Sequence, residues 1–229
     1  MKQIIKWIIL RGLLHNMWVE QLHSWIYVKS KEKMIQKWNK PIFDKREQLY
    51  DYIIHNALSS QSIDFLEFGV FEGESLNYWV QHVTQSDAAF YGFDSFEGLP
   101  EDWTPDKPKG TFATKGQPPP ITDSRVNFII GLFTQTLPSF LKNYSNTHKT
   151  KIVHMDADLY SSTLFVLVQL LPTFKKGDII IFDEFAYPVL SEYKAFQDFQ
   201  EIAPFNFESI AATNNFHQIA IKITDVSVT

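Results

Sequence analysis

The sequence predicts an α/β protein with a mostly parallel, seven-stranded sheet, helices on both faces and one closing antiparallel strand. Short apolar runs alternate with segments of helical spacing from residue 44 to residue 201. This alternation favours a parallel sheet covered by helices. The run over residues 62–70 is apolar almost throughout, which is typical of a strand buried on both faces. Two strand-like segments flank the turn-favouring pair Asn214-Asn215, and they predict the antiparallel pairing at the end.

The predicted elements follow one another in a simple order. A helix over residues 44–58 comes after the break at Pro41, and Thr136 is a candidate N-cap for a later helix. The predicted strands are 62–70, 88–94, 125–131, 151–158, 177–185 and two more within 205–223, and the other predicted helices are 74–83, 136–144, 161–174 and one near 189–201. Residues 98–124 contain six of the eleven prolines and are predicted to form a long loop, which we interpret as a lid.

Residues 1–40 are predicted to form a basic, Trp-rich helical extension, separate from a main domain over residues 41–229. They contain eight Lys or Arg, two Glu and four of the six tryptophans, which gives a local charge of +6. Apolar residues at helical spacing favour packing on the main domain or on a second subunit. We expect a homo-oligomer, in which the second of these would occur. The same composition is also typical of a helix lying in a membrane interface, so peripheral membrane contact stays an open alternative.

Composition excludes several classes of function. The chain has no cysteine, which excludes disulfides, thiolate metal sites and cysteine nucleophiles. The net charge of −5 leaves −11 outside the basic extension, and an acidic main domain argues against nucleic acid as a partner. The apolar run at the start is too short to cross a bilayer, and no cleavage site follows it. We therefore expect a cytoplasmic protein that acts on a small-molecule or glycan acceptor.

The turn after the first predicted strand indicates what kind of cofactor binds. Ligands of an open parallel sheet bind beyond the carboxyl ends of its strands. This turn holds three glutamates and two glycines, namely Glu67, Gly69, Glu72, Gly73 and Glu74. A dinucleotide-binding turn would carry a third glycine, and its pyrophosphate would be repelled by the carboxylates. The acids suit a cofactor with positive sulfonium and ammonium groups, while the glycines allow close approach of the backbone.

Acidic residues also end the other predicted strands. Asp94 ends the second strand, where a carboxylate can bind both hydroxyls of a ribose. Asp156, Asp183 and Glu184 end two later strands and form an oxygen-only set of the kind that Mg²⁺ prefers. Such an ion would stabilise a deprotonated hydroxyl for attack on a sulfonium methyl. Asp158, which lies close to Asp156, is a candidate general base, and Asp156 is also a candidate cofactor ligand.

Several segments resemble the macrocin O-methyltransferase family. They are EFGVFEGES, YGFDSFEGLPEDW, GLFTQTLPSFL, HMDADLYSST and GDIIIFDEF, within residues 62–187. The resemblance implies a Rossmann-like, class I fold that uses S-adenosylmethionine (SAM) to methylate sugar hydroxyls of glycosylated natural products. It implies Mg²⁺ ligands at Asp156, Asp183 and Glu184, and a SAM site at residues 67–73 and Asp94. Ser75 and Ser95 complete the candidate cofactor-binding set. Members of the family often carry two aspartates where this chain has Asp183-Glu184.

The leading hypothesis is therefore a SAM-dependent, Mg²⁺-assisted O-methyltransferase. Its acceptor would be a sugar hydroxyl of a glycoside, a glycolipid or a glycosylated small molecule. Two alternatives stay open at the level of sequence: an NAD-type oxidoreductase on a similar fold, and a non-catalytic scaffold that binds partners through residues 1–40.

Overall fold

The computed structural model describes residues 27–58, 61–144, 148–186 and 191–226. By their contacts, the residues form two units, Met1–Asn39 and Lys40–Thr229. In the first unit residues 27–36 are helical (α1), and Lys29 lies 2.6 Å from Glu32 on the same helix. The features predicted for residues 1–26 lie outside the described residues. No helix within the described ranges combines the length and the apolar character needed to span a membrane.

The second unit alternates strands and helices. Its strands are β1 (Ile42–Phe43), β2 (Ile63–Phe68), β3 (Ala89–Asp94), β4 (Val126–Ile130), β5 (Thr150–Met155), β6 (Ile179–Phe182), β7 (Phe205–Thr213) and β8 (Ile219–Val226). Its α-helices are α2 (Arg46–Tyr52), α3 (Glu74–His82), α4 (Phe133–Leu141), α5 (Tyr160–Leu170) and α6 (Ser191–Ile202). A π-helical turn over Ile53–Ala57 extends α2, and a 3-10 turn over Leu171–Thr173 extends α5.

The strands form one mixed sheet in the order β1-β7-β8-β6-β5-β2-β3-β4. Only β8 runs antiparallel to its neighbours β6 and β7, so the predicted mostly parallel sheet with a closing antiparallel strand is confirmed. The predicted number of strands is wrong, because the sheet has eight rather than seven. The additional strand is β1, in which Ile42 pairs with Ala212 of β7. Two residues are too short for any periodicity, so the sequence pattern could not reveal this strand.

The order of the strands fixes where a ligand can bind. From the centre of the sheet, β2, β3 and β4 follow one another toward one edge, whereas β5 and β6 continue toward the other. Neighbouring β2 and β5 therefore mark the switch point, and the connections that leave their carboxyl ends diverge around a crevice. All residues of β2, β5 and β6 are buried, as their near-continuous apolar runs predict.

Helix α4 begins earlier than predicted. Leu132 is its N-cap and Phe133 its first residue, so the prediction of Thr136 as the N-cap is wrong. The hydroxyl of Thr136 donates instead to the carbonyl oxygen of Leu132 at 3.1 Å, inside the first turns of the helix. Gly131, with φ of 139°, lets the chain pass from β4 into α4 within two residues.

The proline-rich loop over residues 98–124 is described throughout and is folded upon itself. The backbone N–H of Leu99 donates to the carbonyl of Thr111 at 2.9 Å, which closes one section of the loop. The hydroxyl of Ser161 in α5 donates to the Glu101 carboxylate at 2.6 Å and fastens the loop to the main domain. The predicted function of this loop as a lid stays a prediction.

Candidate functional site

A cavity of about 540 Å³ lies beyond the carboxyl ends of β2, β3, β5 and β6. Seven residues predicted from the sequence as site residues line it, namely Gly69, Asp94, Ser95, Asp156, Asp158, Asp183 and Glu184. The other four, Glu67, Glu72, Gly73 and Ser75, are not part of its wall. The cavity therefore brings together Gly69 at the start of the turn after β2, the candidate ribose ligand Asp94 and the acids at the ends of β5 and β6.

Gly69 allows the ends of β2 and β5 to meet at the cavity. Its φ is 93°, a left-handed conformation that side chains disfavour. A Cβ atom added there would stand 1.9 Å from the carbonyl oxygen of Asp156, which is far inside van der Waals contact. The absence of a side chain at Gly69 is therefore what allows Asp156 to lie against the first turn.

Asp94 organises the turn and the start of the proline-rich loop. Its Oδ2 accepts hydrogen bonds from the backbone N–H groups of Val70 and Phe71, at 2.8 and 2.9 Å. Its Oδ1 accepts one from the N–H of Phe96 at 2.7 Å. A carboxylate has about four acceptor positions, so one stays available toward the cavity. Ribose binding by Asp94 stays a prediction that this geometry allows.

Glu67 is fully buried behind the cavity wall. Its Oε1 accepts a hydrogen bond from the Ser75 hydroxyl, and the Nδ1 atom of His154 lies 2.9 Å from the same oxygen. Ser75 belongs to the first turn of α3, so Glu67 fixes the start of that helix relative to β5. In this structure Glu67 and Ser75 support the turn after β2 from behind the cavity wall.

The remaining two predicted turn residues also lie outside the cavity wall. Glu72 is exposed to solvent. Gly73, with φ of 78°, leaves room for the proline-rich loop, because an added Cβ would stand 2.6 Å from Pro119. Any contact of Glu72 or Gly73 with a cofactor stays a prediction.

Four acidic side chains crowd the cavity where β5 and β6 end, namely Asp156, Asp158, Asp183 and Glu184. Burial, followed by the charge of Asp183, raises the pKa of Asp158 and that of Glu184 to about 7. The same two causes raise the pKa of Asp156 well above its usual value. These carboxylates therefore repel one another, and a positive ligand would relieve that repulsion.

Asp183 differs from its neighbours because two cationic side chains stand beside it. Burial alone would raise its pKa, but His154 and Arg46 outweigh that effect and lower it. Arg46 Nη1 lies 3.9 Å from Asp183 Oδ2, and His154 Nε2 lies 3.8 Å from Oδ1. Arg46 also donates to Glu74, the first residue of α3, at 2.8 Å. Asp183 is thus the acid in this set that is held ionised.

The predicted Mg²⁺ site is supported by its donors rather than by an assembled geometry. Asp183 Oδ1 and Glu184 Oε2 are buried oxygens without a hydrogen-bond partner, as expected of groups that face a cation. Carboxylate oxygens are also the ligands that Mg²⁺ prefers. Across the described residues, however, no three His, Asp or Glu side chains are arranged so that they could hold a metal ion. The residues fit the ion chemically, and Mg²⁺ stays a prediction.

His154 was not among the site residues predicted from the sequence, although it lies at the centre of the buried polar network. It is fully buried in β5, and its Nε2 lies 3.0 Å from the Tyr50 hydroxyl. The carboxylates of Asp183 and Glu67 outweigh burial and raise the pKa of His154 to about 10. A polar residue inside an otherwise buried strand was a signal that partners must exist. Tyr50, which lies 104 residues away in sequence, could not be identified from it.

Lys107 is a second site residue that sequence reasoning missed. It belongs to the proline-rich loop, and of the described residues that line the cavity it is the one basic side chain. Its Nζ lies 4.5 Å from the ring centroid of Phe112, another cavity residue. The positive charge of Lys107 opposes the rise in the pKa of Asp158 and Glu184. The loop therefore brings a countercharge to the acidic set.

A family model for methyltransferase domains matches residues 66–185, slightly more than half of the chain. The matched segment begins within β2 and ends just beyond β6, so it includes the carboxyl ends of all four strands that surround the cavity. It also includes every residue that was predicted from the sequence as a site residue.

The chain is similar to three known proteins, among others. An 8-demethyl-8-(2,3-dimethoxy-α-L-rhamnosyl)-tetracenomycin-C 4′-O-methyltransferase of Streptomyces olivaceus is 33% identical over 66 residues, which is 29% of this chain and only 23% of that enzyme. The calicheamicin methyltransferase CalS11 has a TM-score of 0.62 at 22% identity, over 78% of this chain and 80% of its own. The O-methyltransferase NovP has a TM-score of 0.58 at 19% identity, over 79% and 80%. The two structures establish similarity of fold.

Proposed function

Because the chain belongs to the methyltransferase-domain family, we propose that it transfers a methyl group from SAM to a sugar hydroxyl. The observation that carries this proposal is the single cavity shared by Gly69, Asp94 and the acidic set at the ends of β5 and β6. A donor bound at the first turn and an acceptor bound beside the acids would meet within it. Membership of this family favours a methyltransferase over the NAD-type oxidoreductase.

The cavity wall supports SAM as the methyl donor. Gly69, in the turn after β2, lines the cavity, and Asp94 keeps an acceptor position for a ribose hydroxyl. SAM carries positive sulfonium and ammonium groups. The carboxylates that line the cavity outnumber its one described basic side chain, Lys107, and their field favours such a ligand, since opposite charges attract strongly where water is excluded.

The proposed reaction needs three things of this chain: it must hold the donor, hold the hydroxyl and accept a proton. The acceptor oxygen forms a bond to the methyl carbon, the carbon–sulfur bond breaks, and its electron pair stays on sulfur. The hydroxyl proton passes to a base. Asp158 is the candidate base because it lines the cavity two residues after Asp156. Holding both reactants in contact supplies a large part of the rate enhancement.

A divalent cation is part of the proposal. Asp156, Asp183 and Glu184 would hold it, and two of these residues present buried oxygens that lack a partner. When bound, such an ion supplies positive charge that lowers the pKa of a nearby hydroxyl. The chain's own contribution is to keep Asp183 ionised through His154 and Arg46.

The proposed acceptor class is a sugar of a glycosylated natural product. The Streptomyces olivaceus relative is named for O-methylation within a rhamnosyl tetracenomycin, and CalS11 is also named as a TDP-rhamnose 3′-O-methyltransferase. These names support a sugar hydroxyl as the acceptor. The part of the cavity wall formed by the proline-rich loop, which includes Trp103 and Lys107, is where acceptor selection would occur.

The proposal is tested by comparing extracts of the producing cell with and without the gene by mass spectrometry. We expect one glycosylated compound to lose the mass of one CH₂ group when the gene is deleted. The gene for the Asp156→Asn, Asp183→Asn double variant should fail to restore it. Normal product formation by this variant would instead favour the non-catalytic scaffold. The cation is tested separately, and loss of the purified protein's methyl-transfer activity on treatment with EDTA would support it.

A further inference from the structure

We propose that His154 is a positioning residue that supports the cofactor side of the cavity through Nδ1 and the side of the methyl acceptor through Nε2. The inference rests on the proposed methyltransferase function and adds a residue to it. His154 does not line the cavity, so it would act through the groups on either side of its ring.

The Nδ1 side of the ring faces Glu67, which supports the turn after β2 at which SAM is proposed to bind (the cofactor turn). Nδ1 lies 2.9 Å from Glu67 Oε1, the oxygen that also accepts the hydroxyl hydrogen of Ser75. Nδ1 is the ring atom that can donate a hydrogen bond to this oxygen. Ser75 stands in the first turn of α3, directly after the turn that contains Gly69. A change at Nδ1 would therefore loosen the turn against which the cofactor is proposed to bind.

The Nε2 side of the ring faces Asp183, one of the acids beside which the methyl acceptor is proposed to bind. Nε2 lies 3.0 Å from the Tyr50 hydroxyl and 3.8 Å from Asp183 Oδ1. That oxygen is buried and has no hydrogen-bond partner, so the position of the ring determines the electrostatic environment of Asp183. Asp183 lines the cavity. A change at Nε2 would therefore act on the acid rather than on the cofactor turn.

Packing makes the ring a rigid link between the two sides. His154, Glu67 and Tyr50 are each fully buried. The imidazole stacks on Phe65 at 6.0 Å with an interplanar angle of 21°, and it meets the Tyr50 ring edge-on at 5.6 Å. The ring can therefore hardly shift toward one side without moving from the other. Groups placed in this way behind ligating or reacting side chains orient them.

Three substitutions separate the two sides of the ring. The amide of Asn extends about as far as Nδ1, whereas the amide of Gln extends about as far as Nε2. His154→Asn thus retains a donor toward Glu67, His154→Gln retains a polar group toward Asp183, and His154→Leu retains neither. Tyr50→Phe removes the hydroxyl beside Nε2 and keeps the aromatic packing, which provides a second route if the substitutions at residue 154 prevent folding.

The experiment measures the SAM dissociation constant by calorimetry and kcat at saturating SAM for each full-length protein. His154→Gln lacks the donor toward Glu67, so we expect SAM binding to be weakened ~10-fold and kcat to be nearly retained. His154→Asn lacks the polar group toward Asp183, so we expect kcat to be ~10-fold lower and SAM binding to be retained. His154→Leu should show both losses, and Tyr50→Phe should resemble His154→Asn.

A purely structural residue would not produce this split. Equal losses of SAM affinity and kcat in the Asn and Gln variants, in proportion to their loss of unfolding free energy, would overturn the inference while wild-type protein still bound SAM. Wild-type protein that bound no SAM would overturn the proposed function and the inference together. The two failures are therefore distinguishable within one series of titrations.

Discussion

The carboxylate of Asp94 accepts a 2.9 Å hydrogen bond from the backbone N–H of Phe71, whose φ of 50° is left-handed. The bond joins the end of β3 to the turn that leaves β2. A non-glycine residue holds such a conformation only when its surroundings compensate for the strain, and strain of this kind clusters at functional sites. Asp94 thus has two roles in the proposed site, since it shapes the turn and faces the cavity.

Replacing Asp94 tests both roles. Asp94→Asn removes the negative charge, and at least one of the three backbone donors then faces the amide NH₂ group instead of an acceptor, so we expect an unfolding free energy lower by about 1–2 kcal/mol. SAM affinity should fall ~10-fold or more, because a hydrogen bond to a charged group contributes more than a neutral one. Urea denaturation and calorimetric titration measure the two effects. Asp87→Asn, at an exposed position in the loop before β3, is the matched control and should change neither.

A comparison of Gly69 with Gly177 tests the close approach between Gly69 and the backbone of Asp156 at the cavity. Both are left-handed, with φ of 93° and 97°, but an added Cβ meets the Asp156 carbonyl at Gly69 and nothing within 4 Å at Gly177. Gly177→Ala should cost about 1–2 kcal/mol of unfolding free energy for its backbone conformation alone. Gly69→Ala should cost roughly 3 kcal/mol or more and abolish SAM binding, since the clash adds to the same strain. Similar costs at both positions in chemical denaturation would mean that the two strand ends do not meet as described.

Lys107 should weaken the binding of a positively charged donor. Its ammonium group lines the same cavity as the acids, so Lys107→Gln is expected to tighten SAM binding by roughly 2–5-fold at low salt. Lys109→Gln, in the exposed part of the same loop, is the control and should have no effect. Titrations at low and high ionic strength measure the change, which should shrink as salt screens the charge. Weaker SAM binding by Lys107→Gln would assign this lysine a contact with the donor itself.

Ligands of an open parallel sheet bind beyond the carboxyl ends of its strands, and this rule predicted much of the site. It placed Asp94, Asp156 and Asp183 at one edge because each follows the end of a strand, and all three line the cavity. The rule could not show that Glu67 is buried behind the wall. Strand residues alternate between the two faces of a sheet, and the side from which a ligand approaches depends on packing beyond the strand. The residues of α2 illustrate the same limit.

Arg46 and Tyr50 lie on α2, a helix that the sequence predicts by its apolar spacing alone. Their contacts with Asp183 and His154 depend on how α2 packs against the sheet, and nothing local to the helix specifies that arrangement. The short strand β1 was missed for a related reason. It exists because Ile42 lies beside β7, a partner that is distant in sequence.

Lys151 provides a test of the fold that is independent of the site. It is the second residue of β5, at the end of the strand opposite the cavity. Its Nζ donates to the carbonyl and hydroxyl of Thr173 at 2.6 and 2.8 Å. Burial lowers its pKa from 10.5 to about 8, although Asp178 opposes the shift. The unfolded chain therefore binds more protons than the folded chain between about pH 8 and 10.5, and this lysine makes stability rise with pH in that window.

The variant Lys151→Met lacks this titration. Relative to wild type, its unfolding free energy should therefore fall by about 2 kcal/mol as pH rises from about 8 to 10.5, after allowance for partial solvent screening. Below pH 8 the difference between the two proteins should be constant. Guanidinium denaturation at several pH values measures it, and Lys176→Met, at an exposed position, is the control. A pH-independent difference across the whole range would mean that Lys151 is solvated in the folded protein.

The basic N-terminal segment is expected to affect assembly rather than donor binding. Residues 1–40 carry four of the six tryptophans and a local charge of +6. The residues that are described as lining the cavity all lie between residues 69 and 184. Deleting residues 1–40 should change the sedimentation coefficient beyond the change in mass, or reduce binding to anionic liposomes, while SAM affinity stays within about 2-fold. Unchanged sedimentation together with unchanged liposome binding would contradict a role in oligomers or at membranes.

The most direct measurement is a calorimetric titration of the full-length protein with SAM and, in parallel, with NAD⁺. An acid-lined cavity beside a two-glycine turn predicts saturable binding of one SAM per chain and no heat from NAD⁺, whose pyrophosphate the carboxylates repel. Absence of SAM binding, or saturable binding of NAD⁺ at the same site, would contradict the claim that these acids hold a positively charged methyl donor.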